Sequence, residues 1–140
     1  MPEASSMPLT PDGKTLAGHV FVYGTLRRGD DNDINRLLPA PVFIGPATLP
    51  GTLYHLGAYP GIVLGGMGVV MGEVYAVSAG LQRVLDEIEE VYPQQRDEYF
   101  KRVVPIDVNG KAISCVVYEI NPRYIEGRPV IQSGDWVRCR

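Results

Sequence analysis

A two-residue turn, Asn109-Gly110, constrains the fold of this chain more than any other feature. It separates two stretches, 99–108 and 112–121, in which apolar residues recur at alternate positions. Asparagine and glycine tolerate the positive φ angles of a tight hairpin turn, so this pair between two such stretches is a strong hairpin signal. The sequence therefore predicts that 99–108 and 112–121 pair as antiparallel strands.

The rest of the chain adds further strands and two helices. Its 140 residues, with 16 glycines and 12 prolines, predict one domain with many turns and short strands. Gly72 interrupts one strand, which indicates a bulge or a close backbone approach. Strands are predicted over 20–25, 42–49, 51–56, 68–77, 99–108 and 112–121, a short helix over 33–38 with Asp30 to Asn32 available as caps, and a longer helix over 79–91 capped by Ser78.

These elements predict an α+β fold in which a mostly antiparallel, barrel-like sheet packs against one longer and one short helix. Residues 1–18 are rich in Pro, Ser, Thr and Gly, and we expect them to form a flexible tail. The single domain is then expected to span residues 19–140.

Composition argues against several classes of partner and site. The net charge is −3 with no basic stripe, so nucleic acid and anionic membranes are poor partners. No apolar run is long enough for a membrane span, and the N-terminus lacks the pattern of a secretory signal, which favours a cytoplasmic location. Cys115 and Cys139 predict no disulfide framework, and His19 and His55 are too isolated to suggest a metal site.

The stretch Val20 to Leu26 is the first candidate for a binding site. An apolar strand runs into Tyr23-Gly24-Thr25-Leu26 and then into a polar, basic segment. A strand that ends in this way leaves main-chain N–H groups without ladder partners, and such donors suit a ligand carboxylate. The alternative is an ordinary strand and turn in which Gly24 is needed only for its backbone angles.

The longer helix carries four acidic residues, and their angular positions differ. At about 100° per residue, Asp86 and Glu90 point away from the apolar stripe and are expected to be solvated. Glu87 and Glu89 lie on opposite flanks of the stripe, where a partly buried carboxylate would gain the raised pKa of a general base. Helical periodicity does not choose between these two, and all four could simply face solvent.

Six short motifs occur in an order typical of one protein family. They are Tyr23-Gly24-Thr25-Leu26, Leu56-Gly57-Ala58-Tyr59-Pro60-Gly61, Gly72-Glu73-Val74-Tyr75, Leu85-Asp86-Glu87-Ile88-Glu89, Tyr99-Phe100-Lys101-Arg102 and Ser133-Gly134-Asp135-Trp136. Over about residues 19–136 the chain resembles the γ-glutamylcyclotransferase superfamily. Within it, the chain is most similar to the small branch that includes γ-glutamylamine cyclotransferases. The resemblance implies a small mixed β-barrel with helices outside and a cavity at one end.

The resemblance also implies roles for named residues. Glu89, the last residue of the Leu-Asp-x-x-Glu motif, would be the catalytic acid and base. The backbone of Tyr23, Gly24, Thr25 and Leu26 would hold the γ-glutamyl group. Substrate contacts or bracing are further implied for Tyr99, Arg102 and Tyr118, with no metal or organic cofactor.

One position departs from the family pattern. Glu90 stands where the family commonly has glycine after its catalytic glutamate. We expect this to change the end of the helix locally, and a second nearby carboxylate would raise the pKa of Glu89. Residues 93–98 follow, where the leaving group of a substrate would emerge.

The implied reaction is ring closure of a γ-glutamyl amide to 5-oxoproline with release of an amine or amino acid. The leaving amine stays open, although the sequence context makes glutathione a poor candidate. The main alternative is a binding module for γ-glutamyl or amino-acid-like ligands without turnover. A hydrolase with a nucleophile is disfavoured because no Ser or Cys stands beside a plausible His. A monomer or weak homodimer is expected.

Several residues of these motifs also have purely structural explanations. Tyr23, Tyr59, Tyr75 and Tyr118 could be core aromatics with satisfied hydroxyls. Arg102 could form an ion pair with Glu73 or Glu98 that only holds the sheet. The segment from Ser133 to Trp136 is predicted to be a structural turn that closes the barrel.

Overall fold

A computed structural model describes residues 16–88 and 98–139 of the chain. The residues between them, 89–97, and those of the predicted tail up to residue 15 lie outside the described residues. The strands are β1 Leu16–Val22, β2 Val42–His55, β3 Pro60–Ser78, β4 Tyr99–Val108 and β5 Lys111–Ile120. The helices are α1 Ala79–Asp86 and the short α2 Trp136–Cys139, and two 3₁₀ turns cover Ile34–Arg36 and Pro122–Tyr124.

The five strands form one mixed sheet in the order β2-β3-β1-β5-β4. The β1–β3, β2–β3 and β4–β5 pairs are antiparallel, whereas β5 runs parallel to β1 at Val20↔Val116 and to β3 at Ile62↔Glu119. The α+β class and the mixed, mostly antiparallel sheet are therefore confirmed. Within the described residues no ladder joins the outer strands β2 and β4, so the sheet is not closed and a barrel is not confirmed.

The predicted hairpin is present. β4 and β5 pair from Tyr99↔Ile120 to Val108↔Lys111, and the turn between them has φ angles of 53° at Asn109 and 83° at Gly110. Both central residues are thus left-handed, as a tight hairpin turn that follows the strand twist requires.

Other predicted strand boundaries are partly wrong: β1 covers 16–22 rather than 20–25, and β3 covers 60–78 rather than 68–77. The stretches 42–49 and 51–56 form one continuous strand, β2, whose pairing with β3 shifts register between Pro50 and Gly51. This irregularity lets one strand bend without ending. At Gly72 the close approach is confirmed, since an added Cβ would lie 2.3 Å from the carbonyl oxygen of Val22.

Helix α1 begins as predicted, with the Ser78 hydroxyl accepting a hydrogen bond from the Leu81 N–H at 3.1 Å. The last three residues of the predicted helix, 89–91, lie outside the described residues. The predicted short helix is only the 3₁₀ turn Ile34–Arg36, and its cap is Asp33 rather than Asp30 to Asn32.

The apolar core lies on both faces of β1, because successive side chains of a strand point to opposite faces. Phe21 packs with Val74 and Val117 on one side, and Val20 packs on the other against Tyr75 and the α1 residues Leu81 and Leu85. The helix therefore covers one face of the sheet. In the described part of the chain, no helix is long and apolar enough to cross a membrane.

Candidate active site

A cavity of about 380 Å³ opens where β1 ends. Buried side chains of β1 and β5 form its floor, while Ala58 and Asp31 at its edge are exposed. Three regions that are distant in sequence meet there: the loop after β1, the loop before β3, and the start of β4. The lining residues are Phe21, Val22, Tyr23, Gly24, Thr25, Leu26, Asp31, Asn32, Ala58, Tyr59, Pro60, Ile88, Glu98, Tyr99 and Tyr118.

The loop after β1 contributes Gly24, Thr25 and Leu26 to the cavity lining. Within the described residues, the N–H groups of Gly24, Thr25 and Leu26 donate no hydrogen bond. Their carbonyl oxygens, by contrast, accept hydrogen bonds from the N–H groups of Arg27, Asn32 and Ile34 at 2.9–3.0 Å. Consecutive N–H groups without a protein acceptor are suited to bind an anion.

Gly24 is required by a close approach. A Cβ at this position would lie 2.8 Å from Cδ and Cγ of Pro60, a distance that real Cβ atoms do not tolerate. Its φ is not among the positive values of the chain, so the backbone angle is not the reason for glycine here. The alternative that Gly24 is needed only for its backbone angles is therefore wrong. Glycine is needed here because the loop after β1 packs closely against Pro60.

A largely buried network of ion pairs joins the same loop to β3 and to Asp135. The Arg27 guanidinium contacts a carboxylate oxygen of Glu73 at 3.2 Å and one of Asp135 at 2.7 Å, and all three side chains are largely buried. The Arg28 N–H donates to Glu73 at 3.0 Å, and so does the Tyr75 hydroxyl at 2.9 Å. Burial raises the pKa of Tyr75 to about 12, so its hydroxyl stays a donor at neutral pH.

The segment Ser133 to Trp136 is part of this support. Gly134 has φ 69°, and its carbonyl oxygen accepts a hydrogen bond from the Met71 N–H at 2.8 Å. A Cβ at Gly134 would lie 1.9 Å from the carbonyl oxygen of Val69. Docking on β3 in this way brings Asp135 to Arg27, and a structural role for the segment is confirmed.

Three tyrosines predicted as site residues line the cavity, and their hydroxyls bind protein groups. Tyr23 donates to the carbonyl oxygen of Tyr118 at 2.6 Å, and Tyr99 donates to that of Pro60 at 2.8 Å. The Tyr118 hydroxyl donates to a carboxylate oxygen of Asp86 at 2.5 Å and accepts from Gln82 at 2.7 Å. These bonds position the rings, so the aromatic faces are the parts that define the shape of the cavity.

The expectation that Asp86 is a solvated charge is wrong. Its carboxylate accepts hydrogen bonds from Tyr118, Gln82 and Lys101, the last an ion pair at 2.9 Å. Burial raises the pKa of Asp86, but the donors outweigh it and leave the pKa below its usual value. The surface of the helix that contacts β5 and β4 includes Asp86 and is therefore wider than the apolar stripe. The periodicity of apolar residues alone does not show this.

A cavity carboxylate, Glu98, was not among the predicted site residues. It is 8% exposed, lines the cavity, and accepts a hydrogen bond from the Tyr59 hydroxyl at 2.5 Å. Tyr59 belongs to the motif Leu56 to Gly61. That motif was therefore the feature of the sequence that could have indicated this part of the cavity wall. The two residues before Glu98, Arg96 and Asp97, are charged, and this local pattern gave no sign that Glu98 is buried.

Arg102 is not among the residues that line the cavity. Its guanidinium is half exposed and forms an ion pair with Glu119 at 2.9 Å, so the pairing expected with Glu73 or Glu98 is wrong. The other carboxylate oxygen of Glu119 accepts from the Leu64 N–H at 2.9 Å. Arg102 thus links β4 to β5 and β3 and lies outside the cavity.

Glu89 and Glu90 lie outside the described residues, as does the segment 93–97. Glu87, on the opposite flank of the predicted helix, is exposed. Ile88, the last described residue before Glu89, lines the cavity.

Among the described residues, no cysteine or histidine lines the cavity. Burial raises the pKa of Cys115 to about 11, which keeps the thiol protonated at neutral pH, and Cys115 lies in the core rather than in the cavity lining. Burial lowers the pKa of His19. Among the described residues, no three His, Cys, Asp or Glu side chains are grouped so that they could hold a metal ion.

The chain is similar to known proteins over nearly all of the described range. A family profile described as "Gamma-glutamyl cyclotransferase, AIG2-like" matches residues 20–138. The chain is 36% identical over 119 residues to a "Putative gamma-glutamylcyclotransferase" of Vibrio cholerae, covering 84% of this chain and 93% of that protein. It is 34% identical over 130 residues to the "Gamma-L-glutamyl-butirosin B gamma-glutamyl cyclotransferase" of Niallia circulans, covering 91% and 76%.

The fold agrees with these sequence matches. The crystal structure of an AIG2-like protein from Mus musculus superposes with a TM-score of 0.67 at 28% identity, covering 82% of this chain and 86% of that one. Residues 20–138, which the family profile matches, include the loop after β1, the cavity walls and the segment Ser133 to Trp136 that supports this loop. By profile, by relatives and by fold, this chain belongs to the γ-glutamyl cyclotransferase, AIG2-like family.

Proposed function

We propose that this protein converts a γ-glutamyl amide into 5-oxoproline and a free amine or amino acid. The observation that carries the proposal is the cradle of unpaired N–H groups at Gly24, Thr25 and Leu26, which faces a partly buried cavity. A γ-glutamyl group carries an α-carboxylate, and rigid main-chain donors bind carboxylates without a counter-charge. The cyclotransferases among its relatives support the same class of reaction.

In this reaction the substrate attacks itself. The α-amine nitrogen forms a bond to the γ-carbonyl carbon, the bond from that carbon to the leaving nitrogen breaks, and a five-membered lactam closes. Because both groups belong to one molecule, the protein has mainly to hold them in a reactive geometry. The walls formed by Tyr23, Tyr99 and Tyr118 restrict the substrate to a folded shape. One N–H of the cradle would stabilise the oxyanion.

Proton transfer is assigned to Glu89 through the family motif. Its carboxylate takes a proton from the α-ammonium and returns it to the departing nitrogen, so the reaction needs no other acid or base. That the neighbouring Ile88 lines the cavity supports this assignment. We assign Arg102 no substrate contact and keep it as a brace between strands.

The substitution Glu89→Gln tests the enzyme against the binding-module alternative. It preserves size and removes the base, so we expect turnover to fall by about two to four orders of magnitude. The measurement is 5-oxoproline release from a panel of γ-glutamyl amides. Glu87→Gln is the matched control, because it removes an exposed carboxylate two residues earlier in the sequence, and it should keep turnover within about twofold.

Two outcomes would contradict the proposal. Full turnover by Glu89→Gln would remove Glu89 from its role. If the wild type binds the amides but releases no 5-oxoproline, the cavity is a binding site without catalysis. A cytoplasmic location, a closed barrel and a monomeric or weakly dimeric state remain predictions.

A further inference from the structure

The side chain of His55, the last residue of β2, makes a hydrogen bond that depends on its protonation state. Its Nδ1 accepts a hydrogen bond from the Gly57 N–H at 3.1 Å. Its main-chain N–H donates to the carbonyl oxygen of Pro129 at 2.9 Å, and its partly buried ring lies against Trp136 with the ring centroids 5.1 Å apart. His55 is outside the cavity lining, and the proposed ring closure does not use it.

The loop that His55 holds, residues 56–59 between β2 and β3, carries part of the cavity wall. Ala58 and Tyr59 line the cavity. Inside the loop, the Leu56 N–H donates to the carbonyl oxygen of Tyr59 at 3.0 Å. The Tyr59 hydroxyl fastens the far end of the loop to the carboxylate of Glu98.

The near end of the loop depends on the His55 ring. In the described part of the chain, Nδ1 of His55 is the one acceptor of the Gly57 N–H. Gly57 has φ 109°, a conformation that glycine adopts readily and that other residues rarely adopt. The loop is thus held at one end by Tyr59 and at the other by a bond from an imidazole nitrogen to a glycine N–H.

Only one form of the imidazole can make this bond. A neutral ring with its proton on Nε2 offers a lone pair at Nδ1, whereas both nitrogens of the protonated ring are donors. After protonation, two N–H groups would therefore face each other between His55 and Gly57. The contact with Trp136 differs, because an aromatic ring attracts a cation within about 6 Å. Protonation thus breaks the contact with the loop and preserves the contact with the C-terminal segment.

No neighbouring charge takes over the role of His55. Among the described residues, His55 forms no ion pair. The segments packed against its ring and backbone contribute Pro60, residues 129–130 and Trp136, none of which is charged. Glu98 faces the loop through Tyr59. The charged residues nearest in sequence to the C-terminal contacts are Arg128, Arg138 and Asp135, of which Asp135 pairs with Arg27.

We infer that His55 is a pH-sensitive switch for this wall of the cavity: the neutral imidazole holds the loop 56–59 in place, and the protonated imidazole releases it. The proton is exchanged with solvent, which reaches the partly exposed ring. Histidine ordinarily changes its charge between about pH 5 and 8, so the switch operates in that range. The effect on turnover rests on the proposed function, whereas the release of the loop does not.

Nuclear magnetic resonance tests the release of the loop without any substrate. At about pH 8, nitrogen-15 shifts of the His55 ring should show a neutral imidazole with its proton on Nε2. As the ring gains a proton, the protection of the Gly57 amide against hydrogen exchange should fall by about fivefold, which corresponds to one hydrogen bond. A neutral ring that carries its proton on Nδ1 overturns the inference, and so does constant protection of Gly57.

His55→Asn tests the consequence for the cavity. An asparagine side chain accepts from the main-chain N–H two residues later and does not titrate, so this variant should hold the loop at every pH. We expect the ratio of kcat/KM, wild type to variant, to be near one at about pH 8. It should fall to about one fifth at about pH 5.5. The other titrating groups, Glu98 included, are the same in both proteins and cancel in the ratio.

His19→Gln is the matched control, because it removes the other histidine of the chain, which lies on β1 outside the cavity lining. The ratio of wild type to His19→Gln should stay constant from about pH 5.5 to 8. A constant ratio for His55→Asn overturns the inference. An equal fall with both variants also overturns it, since the effect would then not be specific to His55.

Binding separates this inference from the proposed reaction. If no 5-oxoproline forms, calorimetry of the γ-glutamyl amide of butylamine at about pH 8 and 5.5 replaces the rates. A loss of affinity at low pH that His55→Asn prevents upholds the switch, and the proposed reaction alone fails. If Gly57 loses its protection while affinity and kcat/KM keep a constant ratio to those of His55→Asn, the loop does not control the cavity and the inference is overturned.

Discussion

The loop after β1 has two halves, 24–26 and 27–37, which differ in whether their main-chain N–H groups are hydrogen-bonded to the protein. From Arg27 to Leu37 every main-chain N–H donates to a protein acceptor, either a backbone carbonyl or a side chain of the loop and of β3. From Gly24 to Leu26 the N–H groups have no acceptor among the described residues. Folded proteins pair nearly all buried main-chain donors, so these three consecutive unpaired N–H groups beside a cavity are the feature on which the proposed substrate binding rests.

The paired half explains how the unpaired half keeps its shape. Arg27 joins the loop to Glu73 on β3 and to Asp135 near the C-terminus, and Ile34 is buried beneath it. Donors that must bind without reorganising need a support that is already ordered. We therefore propose that one half binds the substrate and the other keeps the loop rigid, and substitutions at Arg27 and Gly24 test this comparison.

Arg27→Met should have the largest effect on stability. It keeps the volume but leaves the carboxylates of Glu73 and Asp135 buried beside each other without their cation. We expect the free energy of unfolding to fall by about 3–5 kcal/mol, measured by urea denaturation. Arg102→Met removes a half-exposed ion pair and is the matched control, with an expected loss of about 1 kcal/mol or less. Equal losses would show that the buried network has no special role.

Gly24→Ala should have the next largest effect, because it should displace the unpaired N–H groups of residues 24–26. The new Cβ would press on Pro60 at 2.8 Å and displace the N–H groups from the cavity. We expect a loss of about 1–3 kcal/mol in stability, and a fall of about a hundredfold in 5-oxoproline formation because the donors are misplaced. Gly18→Ala on β1 meets nothing within 4 Å and is the control. If both variants keep full activity, the cradle does not hold the substrate.

Asp86→Asn should have the smallest effect, and the size of this effect depends on pH. Because hydrogen bonds and Lys101 outweigh burial and lower the pKa of Asp86, its ionised form stabilises the fold. That contribution is present above the unfolded pKa, about 4, and is lost as pH falls through the lower folded pKa. The wild type should therefore be more stable than Asp86→Asn by about 1 kcal/mol at pH 7. The difference should shrink below about pH 4 in urea titrations, and a constant difference would contradict the assignment.

Much of the fold was predictable from short stretches of sequence. The Asn109-Gly110 hairpin, the Ser78 cap and the close approach at Gly72 were all found in the structure. Each depends on a few neighbouring residues whose conformational preferences act locally. The ordered motifs identified the family, and Tyr23 to Leu26, Tyr99 and Tyr118 were brought together in one cavity.

The errors fell on residues whose environment comes from distant parts of the chain. Asp86 was expected in solvent, yet Tyr118 and Lys101 reach it from β5 and β4. Arg102 was expected near the cavity, yet Glu119 across the β4–β5 ladder holds it outside. Helical and strand periodicity indicate which residues share a face of one helix or strand. They do not indicate which side chains of other elements contact residues beside that face.

Local patterns alone were enough to predict the hairpin, the Ser78 helix cap and the family of this chain. Only the packing of β1, β3, β4 and α1 decided which main-chain donors stay unpaired and which carboxylates are already bound. It left Glu98 in the cavity wall and placed Asp86 among donors, although both are acidic residues at the end of an element. The physical reason is that burial and pairing arise from contacts between residues far apart in sequence.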